Sequence, residues 1–208
     1  MLRRLAMAWL FFGLLATLAV LWHNWGDLLT PSEQDLRPAA PAHADTLAQG
    51  EYLARAGNCI GCHTRLGGEP LAGGRPIDTP FGPVYSSNLT PDPIHGLGRW
   101  SAQEFWTALH RGRSRGARLL TPAFPYPHTQ LITREDSDAL WAYLQQQKPV
   151  ARAAPPHGLR WPFYTQPALA VWRTLFFETA EARPEPGRSE LWQRGAYLVR
   201  GLGHCAAC

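Results

Sequence analysis

Two cysteines and a histidine lie at a fixed spacing in the segment Cys59-Ile60-Gly61-Cys62-His63, which is the pattern of a c-type haem attachment site. Each thiol can add to one vinyl group of a haem, and the two residues between the thiols set the reach between the two vinyl groups. His63 follows Cys62 directly, so its imidazole can lie under the iron and ligate it through a ring nitrogen. We therefore predict haem c, with Cys59 and Cys62 as the attachment residues and His63 as an iron ligand.

A second Cys-x-x-Cys pair, Cys205 and Cys208, lies at the end of the sequence and leaves other interpretations of Cys59 and Cys62 open. A structural zinc ion could use both pairs, and two neighbouring cysteines could form a plain disulfide. A thioredoxin-like redox pair would need a βαβ context, which the surrounding sequence does not offer. Few functions other than haem attachment need a histidine directly after the second cysteine, so the pattern favours haem.

Residues 1–26 have the features of a membrane anchor. Arg3 and Arg4 precede an uncharged, largely apolar run of 18 residues, Leu5 to Trp22. This length is at the lower edge of a membrane-spanning helix and is long for a signal-peptide core, so we predict an uncleaved anchor rather than a cleaved signal. The two arginines should stay in the cytoplasm. We therefore expect a protein of the cytoplasmic (inner) membrane with its globular part on the periplasmic side, which agrees with haem attachment outside the cytoplasm.

The composition indicates an all-α haem domain and argues against a nucleic-acid-binding protein. The formal net charge is only +4, and no basic cluster interleaves with aromatic residues. The 19 glycines and 19 prolines predict long ordered loops, and nine tryptophans and eight phenylalanines offer apolar surface for burying a flat macrocycle. We predict a class I cytochrome c-like fold with long Gly/Pro-rich loops, preceded by an N-terminal transmembrane helix and by a tether at residues 27–44.

We assign residues 45–149 to a first cytochrome c domain with three predicted helices. The first, over 47–56, runs directly into the haem motif, so its end would aim the imidazole at the iron. A capping box that begins at Ser101 predicts a second helix over 102–110. Thr133 is the predicted N-cap of the third helix, which ends before residue 149.

Two arginines and a tryptophan are candidate partners for the haem propionates. Arg75 and Arg99 could bind carboxylates through their guanidinium groups, and the ring nitrogen of Trp100 could add a donor. They belong to, or directly follow, a loop that is rich in glycine and proline. The alternative is that the two arginines are solvated surface residues.

The sixth iron ligand cannot be a methionine of the predicted haem domain, because the only methionines are Met1 and Met7 in the anchor. Small cytochromes c commonly use methionine opposite the histidine. We predict ligation by His63 and His128, since His128 lies in the loop that should pass the distal face of the haem. An iron without a sixth protein ligand remains an alternative, as do three other histidines, His95, His110 and His157.

The segment Gly50–Asn58 before Cys59 resembles the first haem domain of a family of membrane-bound multihaem cytochromes c. These are the cytochrome subunits of periplasmic alcohol, gluconate and aldehyde dehydrogenases, and similar subunits accompany molybdenum hydroxylases. Further matching segments continue along the chain; these are Ala72-Gly73-Gly74, Thr79-Pro80-Phe81-Gly82, Ser87-Asn88-Leu89-Thr90-Pro91-Asp92, Gly98-Arg99-Trp100 and Pro122-Ala123-Phe124-Pro125-Tyr126.

The resemblance implies a function in one-electron transfer without substrate chemistry. It implies three haem domains in one chain, which pass electrons from a catalytic dehydrogenase subunit, a quinoprotein or a molybdenum hydroxylase, towards quinone or a terminal oxidase. In the alcohol dehydrogenase branch a methionine is expected where this sequence has Phe124, so the sequence departs from that branch at the sixth ligand. The main alternative is a multihaem peroxidase-type enzyme with an open haem iron, and a ligand-binding sensor domain is a third possibility.

The end of the chain repeats its first haem motif in part. Gly195–Gly201 resembles Gly50–Ala56, and Cys205 and Cys208 repeat the earlier pair of cysteines, which indicates an internal duplication. We assign 150–187 to an inter-domain linker and 188–208 to the truncated start of a second cytochrome c domain. Because no histidine follows Cys208, we expect one competent haem site in this chain and no properly ligated haem at the second pair.

Overall fold

The computed structural model describes residues 2–29 and 31–205, so Cys208 of the second predicted site lies outside the described residues. Regular structure in these two ranges is mostly helical, which confirms the all-α prediction at that level. The helices are α1 (Leu2–Trp25), α2 (Glu33–Leu36), α3 (Ala44–Ala56), α4 (Cys59–His63), α5 (Ala102–Arg111), α6 (Tyr126–Thr129), α7 (Arg134–Gln145), α8 (Gln166–Phe176) and α9 (Glu190–Arg200), with a 3-10 turn at Gly26–Leu28. A short antiparallel ribbon pairs β1 (Pro76–Ile77) with β2 (Val84–Tyr85).

The predicted N-terminal apolar helix is present as α1. It has 24 residues and is therefore roughly 36 Å long at 1.5 Å per residue, compared with about 30 Å for the hydrocarbon core of a bilayer. Most of its side chains are exposed. By length and composition it is able to cross a membrane.

The second half of the predicted tether packs on the helical domain. The indole nitrogen of Trp106 donates a hydrogen bond to Asp35 in α2 at 3.0 Å. Further along, the backbone N–H of Ala40 donates to the carboxylate of Asp138 at 2.9 Å. These contacts hold the segment against α5 and α7, so it is not a freely extended spacer at these points.

The core of the helical domain is built where α3 crosses α7. A Cβ atom at Gly50 of α3 would lie only 2.0 Å from the carbonyl oxygen of Ala139 and 2.7 Å from Cβ of Tyr143. The two helices therefore approach so closely that only glycine fits at this position. Side chains of α3, α5 and α7 form one apolar cluster around this crossing, which includes Leu53, Phe105, Leu109, Leu140 and Leu144.

Helix α5 begins where the sequence predicts and ends within one residue of the predicted end, because a capping box precedes it and a glycine follows it. The hydroxyl oxygen of Ser101 accepts from the backbone N–H of Glu104 at 3.1 Å, and the Glu104 carboxylate accepts from the Ser101 N–H at 2.8 Å. Gly112 follows the helix in the left-handed conformation, with φ of 56°. The capping box and the glycine thus fix where the helix begins and ends.

Helix α9, whose sequence repeats that of α3, packs against the beginning of α7. The Tyr197 hydroxyl donates to the carboxylate of Asp136 at 2.8 Å and accepts from the backbone N–H of Thr133 at 2.9 Å. Thr133 is also the predicted N-cap of α7, and its hydroxyl accepts from the Asp136 N–H at 3.2 Å. The start of the second repeat is therefore attached to the first domain through one shared polar cluster.

Candidate haem site

The haem motif is presented by a sharp turn between α3 and the short helix α4. Asn58 adopts the left-handed conformation, with φ of 50°, which asparagine tolerates better than most residues. Its side-chain amide packs over Gly61, where a Cβ atom would lie 2.3 Å from the amide oxygen. A larger residue at position 61 would therefore require the Asn58 side chain to move.

Cys59, Cys62 and His63 line one cavity of about 440 Å³, which is within the range of about 300–1,000 Å³ of small-molecule sites. The rest of the lining is largely apolar and comes from the loops as well as from α5 and α7. Large side chains in this lining are Leu89, Leu97, Trp100, Phe105, Leu109, Phe124, Leu140 and Leu144. Two thiols and an imidazole at the edge of an apolar cavity are what a covalently attached, largely buried macrocycle requires.

The imidazole of His63 is oriented by a backbone carbonyl group of a distant loop. Its Nδ1 lies 2.7 Å from the carbonyl oxygen of Ser87. Because a carbonyl oxygen can only accept, Nδ1 must carry the hydrogen, and Nε2 keeps its lone pair. Metal-ligating histidines are commonly oriented in this way. Burial lowers the pKa of His63, against the opposing effect of the Ser87 hydrogen bond, which favours the neutral form that binds metal.

The environment of the two cysteines disfavours the competing interpretations. Cys59 and Cys62 are free thiols, so they form no disulfide. Burial raises the pKa of the Cys59 thiol to about 11, whereas redox-active Cys-x-x-Cys pairs have lowered thiol pKa values. Within residues 2–29 and 31–205, no group of three or more His, Cys, Asp or Glu side chains could hold a metal ion. The alternative of a zinc site that uses both cysteine pairs includes Cys208, which lies outside the described residues.

The structure places the three predicted propionate partners differently. Trp100 lines the cavity, whereas Arg75 and Arg99 are exposed and lie outside its lining. Arg118 lines the cavity instead. No sequence pattern singles out Arg118, because it lies in a loop that is distant from the haem motif along the chain. The role of Arg75 and Arg99 at the propionates stays a prediction.

His157 also lines the cavity, and its tautomer is defined by a hydrogen bond. Its Nδ1 accepts from the backbone N–H of Tyr85 at 3.2 Å, so in the neutral ring Nε2 carries the hydrogen. Burial, together with the charge of Arg118, lowers the pKa of His157 and favours that neutral form. In this form the Nε2–H of His157 is available as a hydrogen-bond donor, and its role as a sixth ligand stays a prediction.

His128, the predicted sixth ligand, lies in α6 and is half-buried. Its neighbours Phe124, Pro125 and Thr129 line the cavity, but His128 itself is outside the lining. His110 is buried beside the carbonyl oxygens of two other residues, Trp106 at 3.1 Å from Nδ1 and Ile132 at 2.6 Å from Nε2. His95 lines the cavity. The identity of the sixth ligand stays a prediction.

Only part of the second attachment site is described. Cys205 is an exposed free thiol, while Cys208 lies outside the described residues. Two residues just before Cys205, Leu202 and His204, line the cavity of the first site. The second repeat thus helps to close the first cavity.

A Cys-x-x-Cys-His motif at an apolar cavity in a helical domain is typical of c-type cytochromes. No family model matches the chain. It is 46% identical over 183 residues to a subunit of nicotinate dehydrogenase from Pseudomonas putida, covering 86% of this chain and 15% of that protein. It is 43% identical over 162 residues to the gluconate 2-dehydrogenase cytochrome c subunit of Pantoea cypripedii, covering 77% of this chain and 37% of that subunit.

A diheme cytochrome c-type protein of Cereibacter sphaeroides is 33% identical over 216 residues, covering 99% of this chain and 69% of that protein. The chain therefore belongs to the family of c-type cytochromes that includes the cytochrome c subunits of nicotinate, gluconate, alcohol and fructose dehydrogenases. It spans only 15% and 37% of the lengths of the first two relatives.

Proposed function

We propose that this chain carries electrons one at a time as the cytochrome part of a dehydrogenase complex. The observation that carries the proposal is the cavity that Cys59, Cys62 and His63 line together. Haem c bound there would supply an iron that cycles between its ferric and ferrous states. The chain itself contributes a fixed imidazole, an apolar enclosure and exclusion of water, which together keep reorganisation small when the charge changes.

The donor in this proposal is a catalytic dehydrogenase subunit. The relative with 46% identity is named as a subunit of nicotinate dehydrogenase, which favours a partner that oxidises an N-heterocycle, of the molybdenum hydroxylase type. A quinoprotein that oxidises an alcohol or a sugar acid is the alternative. The acceptor is quinone or a terminal oxidase, and α1 keeps the haem domain on the periplasmic side of the inner membrane.

The covalent attachment is tested on the full chain, expressed with a cytochrome c maturation system. We expect a coloured protein whose pigment stays with the polypeptide in acidified organic solvent. Replacing both thiols, Cys59→Ser with Cys62→Ser, should release the pigment into the solvent. Replacing Cys205→Ser should leave the attached pigment unchanged. A colourless wild-type protein, or pigment that is extracted from it, would refute haem attachment at this site.

The donor is tested by expressing the chain with the product of the neighbouring gene for a catalytic subunit. We expect nicotinate to reduce the haem, seen as the change in its absorbance, and ethanol or gluconate to leave it oxidised. Reduction by ethanol or gluconate alone would assign the quinoprotein partner instead. Reduction by none of the three, while dithionite reduces the haem, would contradict both assignments of the donor and leave the attachment result intact.

A further inference from the structure

Helix α8 buries an arginine together with Leu169 and Ala170, and it exposes further apolar side chains to its surroundings. Arg173, on the side that packs against the protein, is buried. Leu175 and Phe176 are 67% and 66% exposed, and Val171, which like Leu175 lies opposite Arg173 on the helix, is exposed as well. Helices on the surface of a soluble protein bury the apolar side and expose the polar one. The outer side of α8 is therefore suited to an apolar surrounding.

The polar side of α8 is occupied by a buried contact with the end of α1. The side-chain amide of Asn24, fully buried, donates to the carbonyl oxygen of Ala170 at 3.0 Å and to the hydroxyl of Thr174 at 3.1 Å. The Asn24 amide oxygen accepts from Nε of Arg173 at 2.9 Å. These bonds fix the middle of α8 beside the last turn of α1.

This contact sets the depth of α8 once α1 crosses a membrane. Arg3 and Arg4 mark one end of α1, and Asn24 lies at the other end, beyond the apolar run. The helix is roughly as long as a bilayer is thick, so Asn24 reaches the interface on the far side. Trp22, two residues before Asn24 on α1, is exposed near this level. Tryptophan is enriched at the interface between membrane and water.

We propose that the outer side of α8, formed by Val171, Leu175 and Phe176, lies in the interface of the same lipid bilayer that α1 crosses. We expect lipid to cover this side of α8 because α8 packs against α1, whose own apolar side chains are exposed. An amphipathic helix that lies in the plane of a membrane buries its apolar side in the same manner. The haem domain would thus be fixed on the membrane surface rather than held on a flexible tether.

The orientation also places the haem cavity next to the membrane. Gln166 and Leu169 of α8 line the cavity, while Val171 and Leu175 of the same helix face outward. One helix therefore separates the cavity from the lipid. In this arrangement a lipid-soluble electron acceptor could approach the haem without leaving the membrane.

The test places the full chain in vesicles of phosphatidylcholine that carries a photoreactive diazirine on its acyl chain. After irradiation and proteolysis, mass spectrometry locates the attached lipid. We expect label on α1 and on residues 171–176. The controls are Leu66 and Leu191, which are 95% and 87% exposed and lie in other parts of the chain, and which should carry none.

A charged variant separates lipid contact from simple exposure. Leu175→Asp with Phe176→Asp should lose the label on α8 and keep that on α1, with the haem absorbance unchanged. Absence of label on wild-type α8 at all ratios of protein to lipid would overturn the proposal in favour of a partner subunit. Label that disappears at high protein density, together with a cross-link between two chains, would overturn it in favour of a second copy.

Discussion

The close crossing of α3 and α7 predicts that the substitution Gly50→Ala destabilises the haem domain. The new Cβ atom would lie 2.0 Å from the carbonyl oxygen of Ala139 and 2.7 Å from Cβ of Tyr143. Both obstacles are backbone or Cβ atoms, so no side-chain rotation relieves the clash, and the two helices must move apart. Overpacking of a core costs about 1–3 kcal/mol, and movement of the Gly50 backbone places this case at or above the upper end.

Gly195 offers a matched control, because it is the equivalent residue of Gly50 in the second repeat. It lies inside α9, where an added Cβ atom meets nothing within 4 Å. Gly195→Ala should therefore stabilise the protein by up to about 1 kcal/mol, the difference in helix propensity. The same gain is included in Gly50→Ala, so we expect a net loss of about 2 kcal/mol or more there.

The assay is urea unfolding of the haem-loaded protein in mild detergent, followed by the absorbance of the haem. We expect the free energy of unfolding to fall in Gly50→Ala and to stay the same or rise in Gly195→Ala. If Gly50→Ala were as stable as the wild type, the close crossing of α3 and α7 would be wrong. Equal losses in both variants would show that glycine matters for another reason.

Three further predictions concern single side chains. Burial is the main cause that lowers the pKa of His110 to about 4 from 6.5. Below pH 6.5 the unfolded chain therefore binds more protons than the folded protein, and the free energy of unfolding should fall by up to about 3 kcal/mol as the pH falls from 6.5 to 4. Urea unfolding of His110→Gln should lack this pH dependence. If His128 ligates the iron, His128→Ala should open the reduced haem to carbon monoxide, and an unchanged spectrum in carbon monoxide would exclude the residue. Asn24→Leu removes the side-chain oxygen that accepts a hydrogen bond from the buried Arg173, and the free energy of unfolding should fall by about 1–3 kcal/mol. Limited proteolysis should then cleave the chain between α1 and α8 faster in Asn24→Leu than in Asn24→Asp.

Local patterns were sufficient to predict the attachment motif and several helices. The spacing of Cys59, Cys62 and His63 defines the attachment chemistry without any knowledge of the fold. The capping box at Ser101 marks the beginning of α5, and an uncharged apolar run is enough to predict α1. These features depend on residues within a few positions of one another, so the sequence alone specifies them.

Contacts between distant segments were decided only by the tertiary structure. The carbonyl group of Ser87 orients His63 from a loop 24 positions away, and Arg118 reaches the cavity although nothing in its local sequence marks it. Asp35 and Trp106 attach a segment that its composition alone predicts to be a loose tether. Each contact depends on the path of a Gly/Pro-rich loop, whose backbone has no periodic pattern from which its course could be derived.

Sequence by itself thus determined the spacing of the two thiols and the imidazole that the cavity presents, and that the chain has a helix able to cross a membrane. Tertiary structure decided how the imidazole is aimed, which side chains enclose the cavity and which way α8 faces. The physical reason is the separation along the chain between the groups that interact. Attachment chemistry and helix formation are set by neighbours along the chain, whereas enclosure and orientation depend on groups such as Asn24 and Arg173 that meet only after folding.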